Sequence, residues 1–289
     1  MSVVCFLGLG VMGFPMAGHL AAQKGLTVRV YNRTFAKAEA WAQKHQGQAF
    51  ASLQEAVLGA DIVFSCLGND DDVRAICLGT NGAFAAMKKG ALFVDHTTTS
   101  DSLARELGEA ATLVGIRFMD APVSGGQAGA ENGQLTVMAG GSEADYADAE
   151  PAVNAYAKYF GLMGPVGAGQ QTKMINQVCI AGLVQGLSEG VHLAQKLGLN
   201  MDNVLEAIRG GAAQSWQMEN RWQTMNEGHY KHGFAVDWMR KDLKFCLDAA
   251  ARLGTELPVT QLVDGYYREV QEMGGGRWDT SSLLARLNK

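Results

Sequence analysis

Over its first 160 or so residues, the chain alternates short apolar runs with longer segments of helical period. Apolar runs that carry few charges predict buried strands, because a parallel sheet is covered on both faces. These runs are Val3–Leu7, Thr27–Tyr31, Asp61–Leu67, Ala91–Asp95, Arg117–Asp120 and Leu135–Ala139. Strands that alternate with helices in this way predict a doubly wound α/β domain with a parallel sheet.

The pattern changes after a glycine-rich connector at residues 164–169. Beyond it only helical periodicity remains, and the longest predicted helix runs from about Gln170 to Leu197, where Gly198 ends it. We therefore expect two domains, an α/β domain at 1–163 and an all-helical domain at 164–289, joined by this long helix.

A glycine-rich turn follows the first predicted strand. Its sequence fits G-x-G-x-x-G and consists of Gly8, Leu9, Gly10, Val11, Met12 and Gly13. In a strand-to-helix turn the first glycine permits the sharp turn, the second lets a pyrophosphate approach the backbone, and the third lets the helix pack close to the strand. The turn predicts a Rossmann-like dinucleotide-binding domain, and a purely structural turn is the alternative.

The end of the second predicted strand carries Asn32, Arg33 and Thr34. NAD-specific domains usually place an acidic residue here, which binds the ribose hydroxyls and repels a 2′-phosphate. A guanidinium and a hydroxyl suit a phosphate instead, so we expect NADP, with NAD as the alternative. In the competing interpretation, Arg33 is an ordinary solvated residue at a helix start.

Composition excludes several classes of partner. A net charge of −5 without a basic cluster argues against nucleic acid, and no apolar run approaches the roughly 20 residues of a membrane span. The opening lacks the pattern of a secretory leader, so we expect a cytoplasmic protein. The five cysteines are scattered, which argues against a zinc site or a disulfide framework and favours buried apolar positions. We expect no metal.

Candidate substrate chemistry lies at Ser124, Gly125 and Gly126, which follow a strand and a proline. A hydroxyl beside two unshielded backbone N–H groups suits a small carboxylate, with a flexible turn as the alternative. A second hydroxyl-rich run, Thr97–Ser100, either caps the next helix or lines the cofactor.

Lys173 is in the first turns of the long helix, with Asn176 and Gln177 on the same face. The helix dipole and an apolar setting both disfavour a charged lysine there, which suits a group that gives and takes a proton near neutral pH. The alternative is a surface lysine whose stem lies along apolar neighbours.

Four segments in this order resemble the β-hydroxyacid dehydrogenase family, and they extend from residue 6 to residue 243. They are Phe6–Ala17, Asp120–Gly126, Gly167–Gly169 with Lys173 and Asn176, and Lys241–Leu243. The resemblance implies a Rossmann-like domain, a helical domain and reversible hydride transfer between a nicotinamide and a short hydroxy acid or aldehyde acid.

The resemblance also implies roles for single residues. Lys173 would be the catalytic acid and base, and Asn176 would orient the substrate. The carboxylate site would be Ser124, Gly125 and Gly126, and the cofactor would meet Leu67, Thr98 and Lys241. This chain departs from the family where Gln177 replaces a frequent asparagine and Gly68 a frequent proline, which leaves side-chain contacts at both positions open.

The identity of the substrate stays open among several compounds. Besides the aldehyde acid of 3-hydroxyisobutyrate, they include glyoxylate, succinic semialdehyde, tartronate semialdehyde and sulfolactaldehyde. Trp216 and Trp238 are either pocket walls or core aromatics. Imine reductases are similar but replace the lysine, and a non-catalytic NADP-binding scaffold is the alternative from another class. The long apolar helix favours a homodimer or homotetramer.

Overall fold

A computed structural model describes residues 2–288. The chain divides into two compact units, Met1–Lys173 and Met174–Lys289. The division falls inside the long helix, ten residues after the boundary expected from the sequence at Met163.

The first unit is built on a nine-stranded sheet. Its strands are β1 Ser2–Leu7, β2 Leu26–Tyr31, β3 Gln48–Phe50, β4 Ile62–Ser65, β5 Leu92–Asp95, β6 Arg117–Asp120, β7 Val123–Ser124, β8 Leu135–Gly140 and β9 Ala157–Gly164. The order is β3-β2-β1-β4-β5-β6-β8-β7, with β9 paired to β8. The strands β1 to β6 are parallel. Because β2 and β3 lie on one side of β1 and the later strands lie on the other, the chain reverses its direction of winding between β1 and β4.

Helices cover both faces of this sheet. They are α1 Gly13–Ala22, α2 Phe35–Lys44, α3 Leu53–Val57, α4 Asp70–Cys77, α5 Ala83–Ala86, α6 Asp101–Leu113, α7 Gly126–Glu131 and α8 Glu143–Val153. Alternate residues of each central strand enter separate cores, with Phe6 and Phe64 on one side and Cys5 and Phe93 on the other. This two-sided burial explains why the strands are continuous apolar runs, and the predicted doubly wound α/β domain is confirmed.

Some elements were not foreseen. The sequence predicts a helix from Glu143 to Ala157, but α8 ends at Val153 and β9 begins at Ala157. The strand β9 forms because it pairs in parallel with β8, and such a partner leaves no local pattern.

The second unit is helical. The long helix α9 runs over Ala168–Lys196, close to its predicted range, and is followed by α10 Met201–Ile208, α11 Trp216–Asn226, α12 Val236–Leu253, α13 Pro258–Glu272 and α14 Leu283–Leu287. Among its described residues, extended pairing is limited to one isolated bridge between Ala235 and Asp279. The core contains Val184, Met239 and Tyr267. The predicted all-helical C-terminal part is confirmed.

Three expectations about single residues are corrected or narrowed by their exposure. Trp216 and Trp238 are exposed, so neither is a core aromatic. Cys179 is also exposed, whereas the cysteines were expected to be buried.

Between residues 2 and 288, no helix combines the length and apolar character needed to cross a membrane.

Candidate active site

The glycine turn joins β1 to α1. Gly8 has a φ of +93°, which a residue with a side chain rarely adopts, and its N–H donates to the carbonyl of Tyr31 on β2. A Cβ at Gly13 would collide with the carbonyl of Gly8, so α1 approaches β1 only because this position has no side chain. A Cβ at Gly10 would meet no protein atom within 4 Å, which leaves this part of the turn open to a ligand.

The candidate phosphate-reading residues lie at the end of β2. Asn32 accepts from the N–H of Leu9 at 2.9 Å and donates to the carbonyl of Thr34 at 3.0 Å, so it ties β2 to the glycine turn. The side chain of Arg33 is 88% exposed, and its Nη1 lies 3.6 Å from a carboxylate oxygen of Asp72. An exposed pair at this distance contributes about 0–1 kcal/mol, so Arg33 can leave Asp72 for a stronger anion.

Segments after β4 and β5 meet at the carboxyl edge of the sheet. Thr97 is buried, and its hydroxyl accepts from the N–H of Leu67 at 2.9 Å. Asp95 connects the ends of β4 and β5, because its carboxylate accepts from the hydroxyl of Ser65 at 2.7 Å and from the N–H of Thr97 at 3.0 Å. Burial raises the pKa of Asp95 to about 6, although both of these hydrogen bonds oppose the shift.

The hydroxyl run has a divided role. Ser100 caps α6 by accepting from the N–H of Leu103, as one interpretation of the sequence expects. Thr98 is half-buried and comes directly after Thr97, whose hydroxyl is bonded to the N–H of Leu67. In doubly wound folds, ligands bind outside the carboxyl ends of strands where the winding reverses, and β1 and β4 form that point here.

The start of α9 is held by Asp120 at the end of β6. Its carboxylate accepts from the N–H of Gly167 at 2.6 Å and from the N–H of Gln170 at 2.8 Å. It therefore binds N–H groups that have no partner within the helix. Burial raises the pKa of Asp120 to about 6, and the two hydrogen bonds partly offset this effect.

Lys173 is on α9, one turn after Gln170, and only 7% of it is exposed. This burial excludes the interpretation of Lys173 as a surface lysine. Its Nζ donates to the hydroxyl of Ser124 at 3.2 Å, across 49 positions of sequence. Gly125 and Gly126 follow at the start of α7, and both are exposed. The structure thus brings together the predicted proton-transfer group and the predicted carboxylate site.

In the second unit, a chain of polar contacts joins Asn176 to Lys241. Nδ2 of Asn176 donates to Oε1 of Gln177 at 2.7 Å, and Nε2 of Gln177 donates to a carboxylate oxygen of Asp242 at 2.7 Å. The other oxygen of Asp242 lies 3.1 Å from Nζ of Lys241. A carboxylate only accepts, so it fixes the direction of both amides. The side chain of Gln177 therefore connects the amide of Asn176 to the carboxylate of Asp242.

Three residues of the network around the predicted site were not predicted to have a role, although all are buried: Asp95, Asp120 and Gln170. Gln170 donates to the carbonyl of Thr97 and accepts from the N–H of Thr99, more than 70 positions away. The only available signal was that both aspartates end a strand at the carboxyl edge of a parallel sheet. For Gln170 the sequence offered no such signal.

Comparison with known proteins identifies the class. One family model, the NAD binding domain of 6-phosphogluconate dehydrogenase, matches residues 3–188. A second, the NAD-binding domain of NADP-dependent 3-hydroxyisobutyrate dehydrogenase, matches residues 167–287. The chain is thus an NAD(P)-dependent oxidoreductase that acts on the CH–OH group of hydroxy acids.

Individual relatives agree over the full length. An uncharacterized oxidoreductase of Shewanella frigidimarina is 58% identical over 289 residues, covering 100% of this chain and 99% of that protein. A probable mitochondrial 3-hydroxyisobutyrate dehydrogenase-like protein of Arabidopsis thaliana is 37% identical, with 98% and 84% covered. The structure of Mycobacterium tuberculosis 3-hydroxyisobutyrate dehydrogenase with L-serine has a TM-score of 0.91 at 31% identity, and both chains are covered completely. This chain belongs to the β-hydroxyacid dehydrogenase family.

Proposed function

We propose that the chain is an NADP(H)-dependent dehydrogenase that interconverts a short β-hydroxy acid and its aldehyde acid, in the manner of 3-hydroxyisobutyrate dehydrogenase. The observation that carries this proposal is the contact between buried Lys173 and Ser124, 3.2 Å from Nζ to Oγ. A proton-transfer group beside an anion-binding turn is the pairing that such a reaction needs.

The nicotinamide, when bound, supplies or receives the hydride at the reacting carbon. In reduction, the ammonium group of Lys173 gives a proton to the carbonyl oxygen while that carbon gains the hydride. In oxidation, the neutral amine takes the hydroxyl proton as the hydride leaves. The start of an α-helix disfavours the charged amine and so favours the proton's departure. Asn176 orients the reacting group.

Ser124 and the N–H groups of Gly125 and Gly126 hold the substrate carboxylate. An ionised acceptor makes stronger hydrogen bonds than a neutral one, so these donors select acids over simple aldehydes. By fixing the far end of a short substrate, they keep its carbonyl within reach of Lys173.

The cofactor contacts are also proposals. The turn at Gly8–Gly13 binds the pyrophosphate, and Leu67, Thr98 and Lys241 line the nicotinamide half. Arg33 and Thr34 bind the 2′-phosphate beside Asn32, and the exposure of Arg33 supports a preference for NADP over NAD. The open space at Gly10 supports the pyrophosphate site, because a Cβ there would meet no group from elsewhere in the protein within 4 Å, and the second glycine of the turn is where a pyrophosphate approaches the backbone.

We also propose a homodimer or homotetramer, located in the cytoplasm. The helix α9 exposes Ile175, Leu183 and Leu193, which a lone chain would leave in water. Sedimentation velocity tests this assembly, and a species of 30.8 kDa at micromolar concentration would contradict it.

The domain boundary at residue 163 stays a prediction.

Substitution of Lys173 tests the chemistry. Initial rates are measured with NADPH and NADH against methylmalonate semialdehyde, succinic semialdehyde, tartronate semialdehyde, sulfolactaldehyde and glyoxylate. General acid–base catalysis contributes about 10²–10⁴-fold, so Lys173→Met should lower kcat by about that factor and leave NADPH binding nearly unchanged.

Lys196 provides a matched control, because it is exposed in the last turn of the same helix. Lys196→Met should retain wild-type kcat. Near-normal turnover by a folded Lys173→Met variant would refute the assignment of Lys173. Absence of turnover by wild-type protein that binds NADPH would favour the imine reductase or scaffold alternatives.

A further inference from the structure

Gln170 holds the backbone on both sides of Thr98. Its Nε2 donates to the carbonyl of Thr97 at 2.7 Å, and its Oε1 accepts from the N–H of Thr99 at 3.1 Å. No part of Gln170 is exposed, and Thr97 and Thr99 are each 1% exposed, so water does not replace these bonds. An amide is required, because one partner only accepts and the other only donates.

The segment held in this way contains one predicted cofactor contact, Thr98, and is hydrogen-bonded to the other, Leu67. Thr98 lies between the two bonded groups, and the hydroxyl of Thr97 accepts from the N–H of Leu67 at 2.9 Å. Gln170 therefore controls the position of Thr98 directly and that of Leu67 through Thr97. Both segments follow strands at the carboxyl edge, where a doubly wound sheet binds its ligand.

The backbone of Gln170 belongs to the helix that carries Lys173. Its N–H donates to the carboxylate of Asp120, which anchors this turn of α9 to the end of β6. Lys173 comes three positions later, on the same helical face. One residue thus contacts the Thr97–Thr99 segment through its side chain and fixes the first turn of the Lys173 helix through its backbone.

We propose that Gln170 is a positioning residue that couples the cofactor-binding segment at Thr97–Thr99 to the helix that presents Lys173. It sets the distance between the hydride carrier and the proton-transfer group, and it touches neither the cofactor nor the substrate. The kinetic part of this inference rests on the proposed function, whereas the binding part requires only that the protein binds a nicotinamide cofactor.

The test compares Gln170→Met with Gln171→Met. Methionine has a similar length but neither donates nor accepts as an amide does. Gln171 is the adjacent exposed glutamine, and its Nε2 donates to Asp101 at 3.0 Å instead of to the Thr97–Thr99 segment. Fluorescence titration gives the Kd of NADPH, and deuterated NADPH gives the primary isotope effect on kcat.

We expect Gln170→Met to raise the Kd of NADPH about 5- to 50-fold and to increase the isotope effect, since misaligned hydride transfer becomes more rate-limiting. Gln171→Met should stay within twofold of wild type in both. A folded Gln170→Met variant with unchanged Kd and unchanged isotope effect would overturn the proposal, even if its melting temperature fell, because that combination describes a purely structural glutamine.

Gln170→Asn keeps the amide but shortens the side chain by one carbon, so it supplies the same test if Gln170→Met does not fold. We expect an intermediate rise in Kd, and a Kd equal to that of wild type would count against positioning. If no aldehyde acid is turned over by wild-type protein, the proposed function fails, but the NADPH titrations still decide the role of Gln170.

Discussion

Replacement of Gly10 by alanine separates cofactor binding from folding. The added methyl would meet no protein atom within 4 Å, and Gly10 is not among the residues with positive φ. The protein without cofactor should therefore accommodate Gly10→Ala without loss of stability. The same methyl points into space that a pyrophosphate needs in order to reach the backbone N–H groups of the turn.

The size of the effect follows from the cost of an extra methyl group in a filled space. Such overpacking costs about 1–3 kcal/mol, and this corresponds to about a 5- to 150-fold rise in the Kd of NADPH. Gly13→Ala serves as the contrast, because its methyl would lie 2.9 Å from Cε1 of Phe6 and collide with the carbonyl of Gly8. That variant should lose stability even without cofactor.

Fluorescence titration with NADPH and thermal unfolding with and without NADPH give the two quantities. For Gly10→Ala we expect a wild-type melting temperature without cofactor and a reduced rise on adding NADPH. Wild-type affinity in this variant would show that the pyrophosphate does not approach Gly10, and would refute the assignment of the glycine turn. A fall in stability without cofactor would refute the geometric reasoning.

Two further predictions concern charge. Arg33→Ser should lower the ratio of kcat/KM with NADPH to that with NADH by about 10- to 150-fold, since a charged hydrogen bond contributes about 1.5–3 kcal/mol. An unchanged ratio would exclude Arg33 as the residue that recognises the 2′-phosphate. The second prediction uses the pKa of Asp120, which burial raises to about 6 in the folded chain from 3.8. The folded chain therefore holds this proton to higher pH than the unfolded chain, and the carboxyl's contribution to stability falls as pH rises from about 4 to about 6. Relative to Asp120→Asn, the wild type should lose about 2 kcal/mol in free energy of unfolding between pH 4 and pH 7, measured by chemical denaturation, and a difference independent of pH would contradict this.

Much of the fold was readable from local pattern. The central strands are buried on both faces, so each appears as an apolar run, and the predicted runs correspond to β1, β2, β4, β5, β6 and β8. The glycine turn could also be predicted from the sequence, because its geometry depends on residues only five positions apart. The strands β3, β7 and β9 were missed, since they are short or depend on a partner strand.

The candidate site divides along the same line. The sequence determined that a lysine stands at the start of a long helix, that a hydroxyl precedes two glycines, and that an arginine stands where an acidic residue often does. Local chemistry and spacing were enough for these predictions, because residue type and helical period are properties of short segments.

Only the tertiary structure decided which of these groups meet. The contact between Lys173 and Ser124 joins residues 49 positions apart, and those of Gln170 with the segment around Thr98 join residues more than 70 positions apart. It also decided that Lys173 is buried. Such contacts form when α9 packs against β7 and against the segments that follow β5 and β6, and packing of distant elements leaves no periodic trace in the sequence.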